Sequence, residues 1–138
     1  LKEIIQEENI NDKVRIVPKQ PYEEMMRYTS SADVGLCIEN PNFLNSYYSL
    51  PNKIFEYIQA GIPIIATNLP EIKKIIEKYE IGILIDKLTP KAIAEAINKL
   101  KNDQSLYNKL KENVNRAAAE LTWENESKEL GRIVKKYL

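Results

Sequence analysis

The chain of 138 residues has no histidine, one cysteine and four glycines. Without histidine there is no Ser-His-Asp triad, no Cys-His dyad and no His-ligated metal. A single cysteine, Cys37, excludes an intrachain disulfide framework and any Cys-rich zinc site. The glycines, at Gly35, Gly61, Gly82 and Gly131, fit neither a G-x-G-x-x-G fingerprint nor a P-loop. Charge of one sign is also lacking. Twenty Lys and Arg balance twenty Asp and Glu, which argues against a dedicated nucleic-acid binder. No apolar run approaches the roughly 20 residues of a membrane span, and no signal-peptide pattern opens the chain. What is present is 43% hydrophobic and 29% charged residues, the balance of an ordinary globular chain. The lone Cys between apolar neighbours suits a reducing cytoplasm.

The apolar pattern changes period several times along the chain. Lys2 to Asn9 reads as a short helix. Lys13 to Val17 alternates, with Val14 and Ile16 on one side, and predicts a strand stopped by Pro18. A helix follows from Pro21, with Glu23 and Glu24 at its positive end and Met25 and Met26 in its apolar stripe. Asp33 to Ile38 is nearly continuous apolar sequence, the mark of a strand buried on both faces. After the polar segment Glu39 to Ser49, Pro51 to Ala60 reads as a helix closed by Gly61. Pro63 to Thr67 and Gly82 to Ile85 read as two more strands. Helices are expected from Pro70, from Thr89-Pro90, over 105–120 and over 123–138. The count is four strands, each followed by a helix, so the expected fold class is α/β. That means a three-layer, Rossmann-like parallel sheet with helices on both faces.

Ligands of such sheets bind outside the carboxyl ends of the strands. The longest connection there runs directly into the helix that begins at Pro51-Asn52-Lys53. Pro51 lacks an N–H, and the N–H groups just after it have no helical partner. A helix start of this kind attracts phosphate, and Lys53 adds a positive charge. Asn52, Lys53 and Glu56 share one face, while Ile54, Phe55 and Ile58 form the other. A diphosphate bearing a ribose has matching parts: anionic oxygens, then vicinal hydroxyls for a carboxylate. The plain alternative is a solvated Lys53–Glu56 ion pair worth roughly 0.2–0.5 kcal/mol.

Ser49-Leu50-Pro51-Asn52-Lys53-Ile54-Phe55-Glu56-Tyr57, continued through Ala60-Gly61-Ile62-Pro63-Ile64-Ile65-Ala66-Thr67, resembles the nucleotide-sugar segment of GT-B glycosyltransferases of the family 4 (group 1) type. Ala32-Asp33-Val34, Gly82-Ile83-Leu84 and Thr122-Trp123 resemble further pieces of that family in the same order. The resemblance implies a partial carboxy-terminal, donor-binding domain over residues 1–138, with closing helices at about 105–138. It implies that Glu56 meets the donor ribose and that Ser49, Leu50, Asn52 and Lys53 face the diphosphate. Many relatives carry a second Glu eight positions earlier, where this chain has Tyr48. No catalytic residue, metal or cofactor is expected in this chain, which on its own is expected to be inactive. The acceptor is expected on an amino-terminal domain missing from it. The family's products include cell-envelope polysaccharides and lipid-linked glycans, so a cytoplasmic location with contact at the inner membrane face is a further option.

Secondary candidates are Lys19, Glu39, Tyr48, Asn68 and Glu71. Each has a plain reading as a loop or helix-start residue, and Trp123 and Cys37 read as a packing anchor and a buried small hydrophobe. In the six-strand order 3-2-1-4-5-6, Lys13 to Val17 forms an edge without its inner neighbours. It is expected to pair with the Asp33–Ile38 strand or with another copy of the chain. A non-catalytic α/β scaffold or receiver-like module is the competing reading. Against the receiver, Asp33 stands at a strand's start rather than its end.

Overall fold

The computed structural model describes residues 1–137. Three parallel strands, β1 (Gly35–Cys37), β2 (Ile64–Thr67) and β3 (Gly82–Ile85), lie side by side in chain order. The register places Cys37 beside Ala66, and Ala66 beside Leu84. β2 is the central strand. All four of its residues are buried, as expected for a short run of β-branched and small side chains flanked on both sides.

Alternation along β2 divides the core in two. Ile64 and Ala66 meet Ile54 and Ile58 of α4 (Asn52–Gln59) and Ile72 and Ile76 of α5 (Pro70–Tyr79). Ile65 faces the other way, with Ile85 and with Ala96 and Leu100 of α6 (Pro90–Asn102). α7 (Gln104–Glu120) serves both sides, giving Val114 and Ala117 to the first cluster and Leu110 to the second. The result is the expected three-layer α/β arrangement.

Local chemistry sets the helix limits. Thr89 Oγ1 accepts the Ala92 N–H at 3.2 Å and Asp103 Oδ1 accepts the Leu106 N–H at 2.9 Å. Such caps are each worth about 1 kcal/mol. α4 stops where Gly61 takes a left-handed φ of 72° and donates its N–H to Ile58 O at 3.0 Å. α5 ends on Glu80, also left-handed at φ 49°. There the buried Asn113 donates to the Glu80 carbonyl at 2.8 Å, which compensates a conformation disfavoured for a residue with a Cβ.

Several expectations are corrected. Among the described residues the sheet has three strands, not four, because Lys13 to Val17 is not a strand. Its alternation is real, but a strand exists only where a ladder partner is supplied. β1 pairs only with β2, so the expected pairing with residues 33–38 does not occur within the chain. The Lys13 and Val14 N–H groups instead turn back to Ile10 O, just beyond α1 (Lys2–Glu7). Val14, Ile16 and Val17 remain exposed. β1 is not buried on both faces either: Leu36, on an edge strand, is 41% exposed. Trp123 is no packing anchor. It is 72% exposed at the start of α8 (Trp123–Tyr137), which leaves the packed layers there. The expected helix end at Leu138 lies outside the described residues.

Candidate functional site

The carboxyl ends of the strands carry a row of polar residues. Glu39 follows β1, Thr67 and Asn68 end β2, and Asp86 follows β3. α4 starts beside the first of these. It begins after Pro51 with no side chain capping it, so its first N–H groups are left to solvent or ligand. Ile54 and Ile58 are fully buried and set the rotation of the helix. That rotation leaves Asn52 exposed and Lys53 and Glu56 half-buried on the other side.

Lys53 is held. Its Nζ donates to Glu39 Oε1 at 2.7 Å, with the two side chains 40% and 22% exposed. The plain Lys53–Glu56 ion pair does not form, and among the described residues Glu56 takes part in no ion pair. The hydrogen bond it donates to Glu39 raises the Lys53 ammonium above its ordinary 10.5, so it is charged at neutral pH. Cys37 lies in the field of this pair. Burial pushes its thiol up to about 11, Lys53 opposes that and Glu39 adds to it. Tyr57, on the next turn of α4, donates its hydroxyl to Leu36 O at 3.2 Å and packs its ring over Gly35. Burial is the first cause of its raised phenol pKa.

The remaining candidates are spread more widely. Ser49 donates its hydroxyl to Ser46 O at 3.1 Å and ends the short α3 (Leu44–Tyr48), while Leu50 packs against the first core cluster. Tyr48 is exposed and meets Tyr47 edge-on, with ring centres 4.9 Å apart. Asn68 donates to Asp86 Oδ1 at 2.6 Å, on the seam between β2 and β3. Glu71 is engaged by Lys74 at 2.6 Å within α5, the arrangement of an ordinary helix-start pair. Lys19 is not brought to the start of α4. It is exposed in a separate groove with Met25 of α2 (Tyr22–Ser30) and Tyr28. A second hollow, lined by Asp33, Val34, Leu100, Lys101 and Tyr107, lies at the amino ends of the strands, away from the polar row.

Two polar contacts had no place among the sequence candidates. Thr67 is 2% exposed, and its Oγ1 accepts the Glu39 N–H at 3.0 Å. Asp86 was reachable in principle, since the rule of strand carboxyl ends applies after β3 as well. Thr67 stood at a strand's carboxyl end, where the same rule directs attention, but a Thr ending an apolar strand reads first as a good β-former. Among the described residues no group of three or more acidic or Cys side chains is arranged to hold a metal ion. No helix among them is long and apolar enough to cross a membrane.

The model of the family described as glycosyl transferases group 1 matches residues 1–117. A D-inositol 3-phosphate glycosyltransferase from Corynebacterium urealyticum is 28% identical over 130 residues, covering 94% of this chain and 29% of the relative. Among solved structures, a sucrose-phosphate synthase from Thermosynechococcus elongatus superposes with a TM-score of 0.79 at 25% identity. That match covers 99% of this chain and 33% of the synthase. The chain therefore spans about a third of the length of the proteins it matches.

Proposed function

The chain belongs to the group 1 glycosyl transferases, and from that we propose that it is part of the donor-binding domain of such an enzyme, taking a nucleotide-diphosphate sugar at the start of α4. The observation that carries this reading is that Lys53 and Glu56 lie opposite the buried face of an uncapped helix, at the carboxyl edge of a parallel sheet. In this reading the first N–H groups of α4 meet diphosphate oxygens, and the Ser49–Leu50 turn shapes their approach. Lys53 adds charge-assisted hydrogen bonds. Glu56, one turn deeper and without an ion-pair partner among the described residues, accepts from the ribose hydroxyls.

Glycosyl transfer breaks the bond between the sugar's anomeric carbon and the diphosphate oxygen. The electron pair leaves with the diphosphate, whose negative charge grows. Fixed N–H dipoles and an ammonium aimed at that oxygen stabilise the charge as it develops, without reorganising. The groups that bind the acceptor, a second substrate, and any base that takes its proton lie in parts of the protein beyond these residues, so the chain alone does not turn over. No metal is assigned to the step. The names of the two relatives differ, one giving inositol 3-phosphate and the other sucrose phosphate, and the acceptor class is left at a hydroxyl compound.

The test is calorimetry on the intact protein with UDP, GDP and inorganic pyrophosphate. Lys53→Ala is expected to weaken all three by about tenfold or more, the scale of a lost charge-assisted hydrogen bond. Glu56→Ala is expected to weaken the nucleotides and leave pyrophosphate unchanged, since pyrophosphate has no ribose. Unchanged nucleotide binding in both variants would return the chain to the scaffold reading.

A further inference from the structure

We propose that Thr67 is a positioning residue for the diphosphate site, acting through Glu39 on Lys53. This rests on the donor-binding reading above and adds to it the means by which the cation is placed. The observations form a continuous path from the centre of the sheet to the ammonium. Thr67 ends the central strand and is 2% exposed, so its rotamer is fixed by packing. The β1–β2 ladder stops at the pair Cys37 and Ala66. Immediately beyond, Thr67 Oγ1 accepts the Glu39 N–H at 3.0 Å, and a side chain takes over where backbone pairing ends. Glu39 then holds Lys53 Nζ at 2.7 Å.

The device answers a specific problem. A lysine at the mouth of a site carries a long flexible stem, and ordering it for each ligand weakens binding. Glu39 removes that disorder in advance. An ammonium has three donors. Glu39 engages one, and the rest serve a phosphate oxygen. The carboxylate itself must be held, because Glu39 starts a connection whose nearest hydrogen bonds are local, among Asn40, Asn42 and Phe43. Thr67 is the link that ties its backbone to the sheet.

The experiment is a double-mutant cycle on the intact protein, titrated with pyrophosphate by calorimetry. Thr67→Val keeps the shape of the side chain and removes the hydroxyl without changing any charge. It is expected to weaken pyrophosphate about threefold to tenfold, the scale of the ordering cost of one long side chain. Thr67→Ser restores the hydroxyl and is expected to restore most of the affinity. In a Lys53→Ala background, Thr67→Val is expected to have no further effect, the non-additivity of residues that act as a unit. An equal loss from Thr67→Val in both backgrounds, or no loss in the first, overturns the positioning role. Lys53→Ala without effect on pyrophosphate instead overturns the donor-site reading, so the two failures are told apart. If Thr67→Val does not fold, Thr67→Ala removes the same hydroxyl with less bulk toward Glu39 and carries the cycle.

Discussion

Cys37 gives a pH dependence of stability that is worked out from its surroundings. It ends β1 with no exposed surface, and burial moves its thiol from the ordinary 9.0 to about 11. Folding therefore favours the protonated thiol. The contribution is complete below pH 9, where both states are protonated, and is lost as pH rises toward 11, because the unfolded chain ionises first. At about 1.4 kcal/mol per pH unit, the full separation corresponds to roughly 3 kcal/mol, of which about half is lost by pH 10. Tyrosines and lysines titrate in the same range, so the relevant quantity is a difference. Urea unfolding of the wild type and of Cys37→Ala, measured from pH 8 to pH 11, removes that shared background. The variant is less stable by a constant amount at pH 8, and the gap is expected to close or reverse as pH rises. A gap that stays level across the range would refute the reasoning and show that the thiolate is solvated or paired in the folded protein.

Other outcomes follow from packing. A Cβ on Gly82 would lie 2.0 Å from Ile64 O, which is backbone and cannot rotate away, so Gly82→Ala is expected to part β2 from β3. The loss is about 3 kcal/mol, overpacking together with disturbed ladder hydrogen bonds, read as a lower urea midpoint. Trp123→Ala is expected to move stability by no more than about 0.5 kcal/mol, since the ring is 72% exposed; a fall well beyond that in thermal melting would mean the ring packs in solution.

The sequence was most legible where one local rule decided the outcome. Gly82 to Ile85 emerged as a strand because its apolar run is bounded by helix-ending and turn residues. Thr89-Pro90 started α6, and Gly61 closed α4, through their own backbone chemistry. Expectations failed where the deciding partner lies elsewhere in space. The alternation in Lys13 to Val17 specifies a face but supplies no neighbouring strand. Trp123 has the size of an anchor but stays 72% exposed beside a hollow lined by Phe55, Ile75 and Leu121. Lys53 was placed on the correct face of α4, yet its partner is Glu39, 14 residues back, rather than the neighbour one turn along. Helical spacing shows which residues share a face, not what the end of an adjacent strand brings up to it. The resemblance carried further than spacing, because it holds the order of strands and loops together.

The neighbour-to-neighbour order of the strands bears on how the site comes together. Each strand pairs with the next one along the chain, so the polar row is closed in separate short steps. Glu39 and Lys53 are 14 residues apart, and Asn68 and Asp86 are 18 apart. The β1–β2 ladder and, beyond its end, the Thr67–Glu39 link spanning 28 residues join the first unit to the second. Closure of loops this short costs little entropy and adds little with each increase in length. The two pairs share no residue, so a change at Asn68 or Asp86 leaves the Lys53–Glu39 contact without a direct loss. The lysine's geometry depends instead on the seam between the edge strand and the centre, where Thr67 meets Glu39.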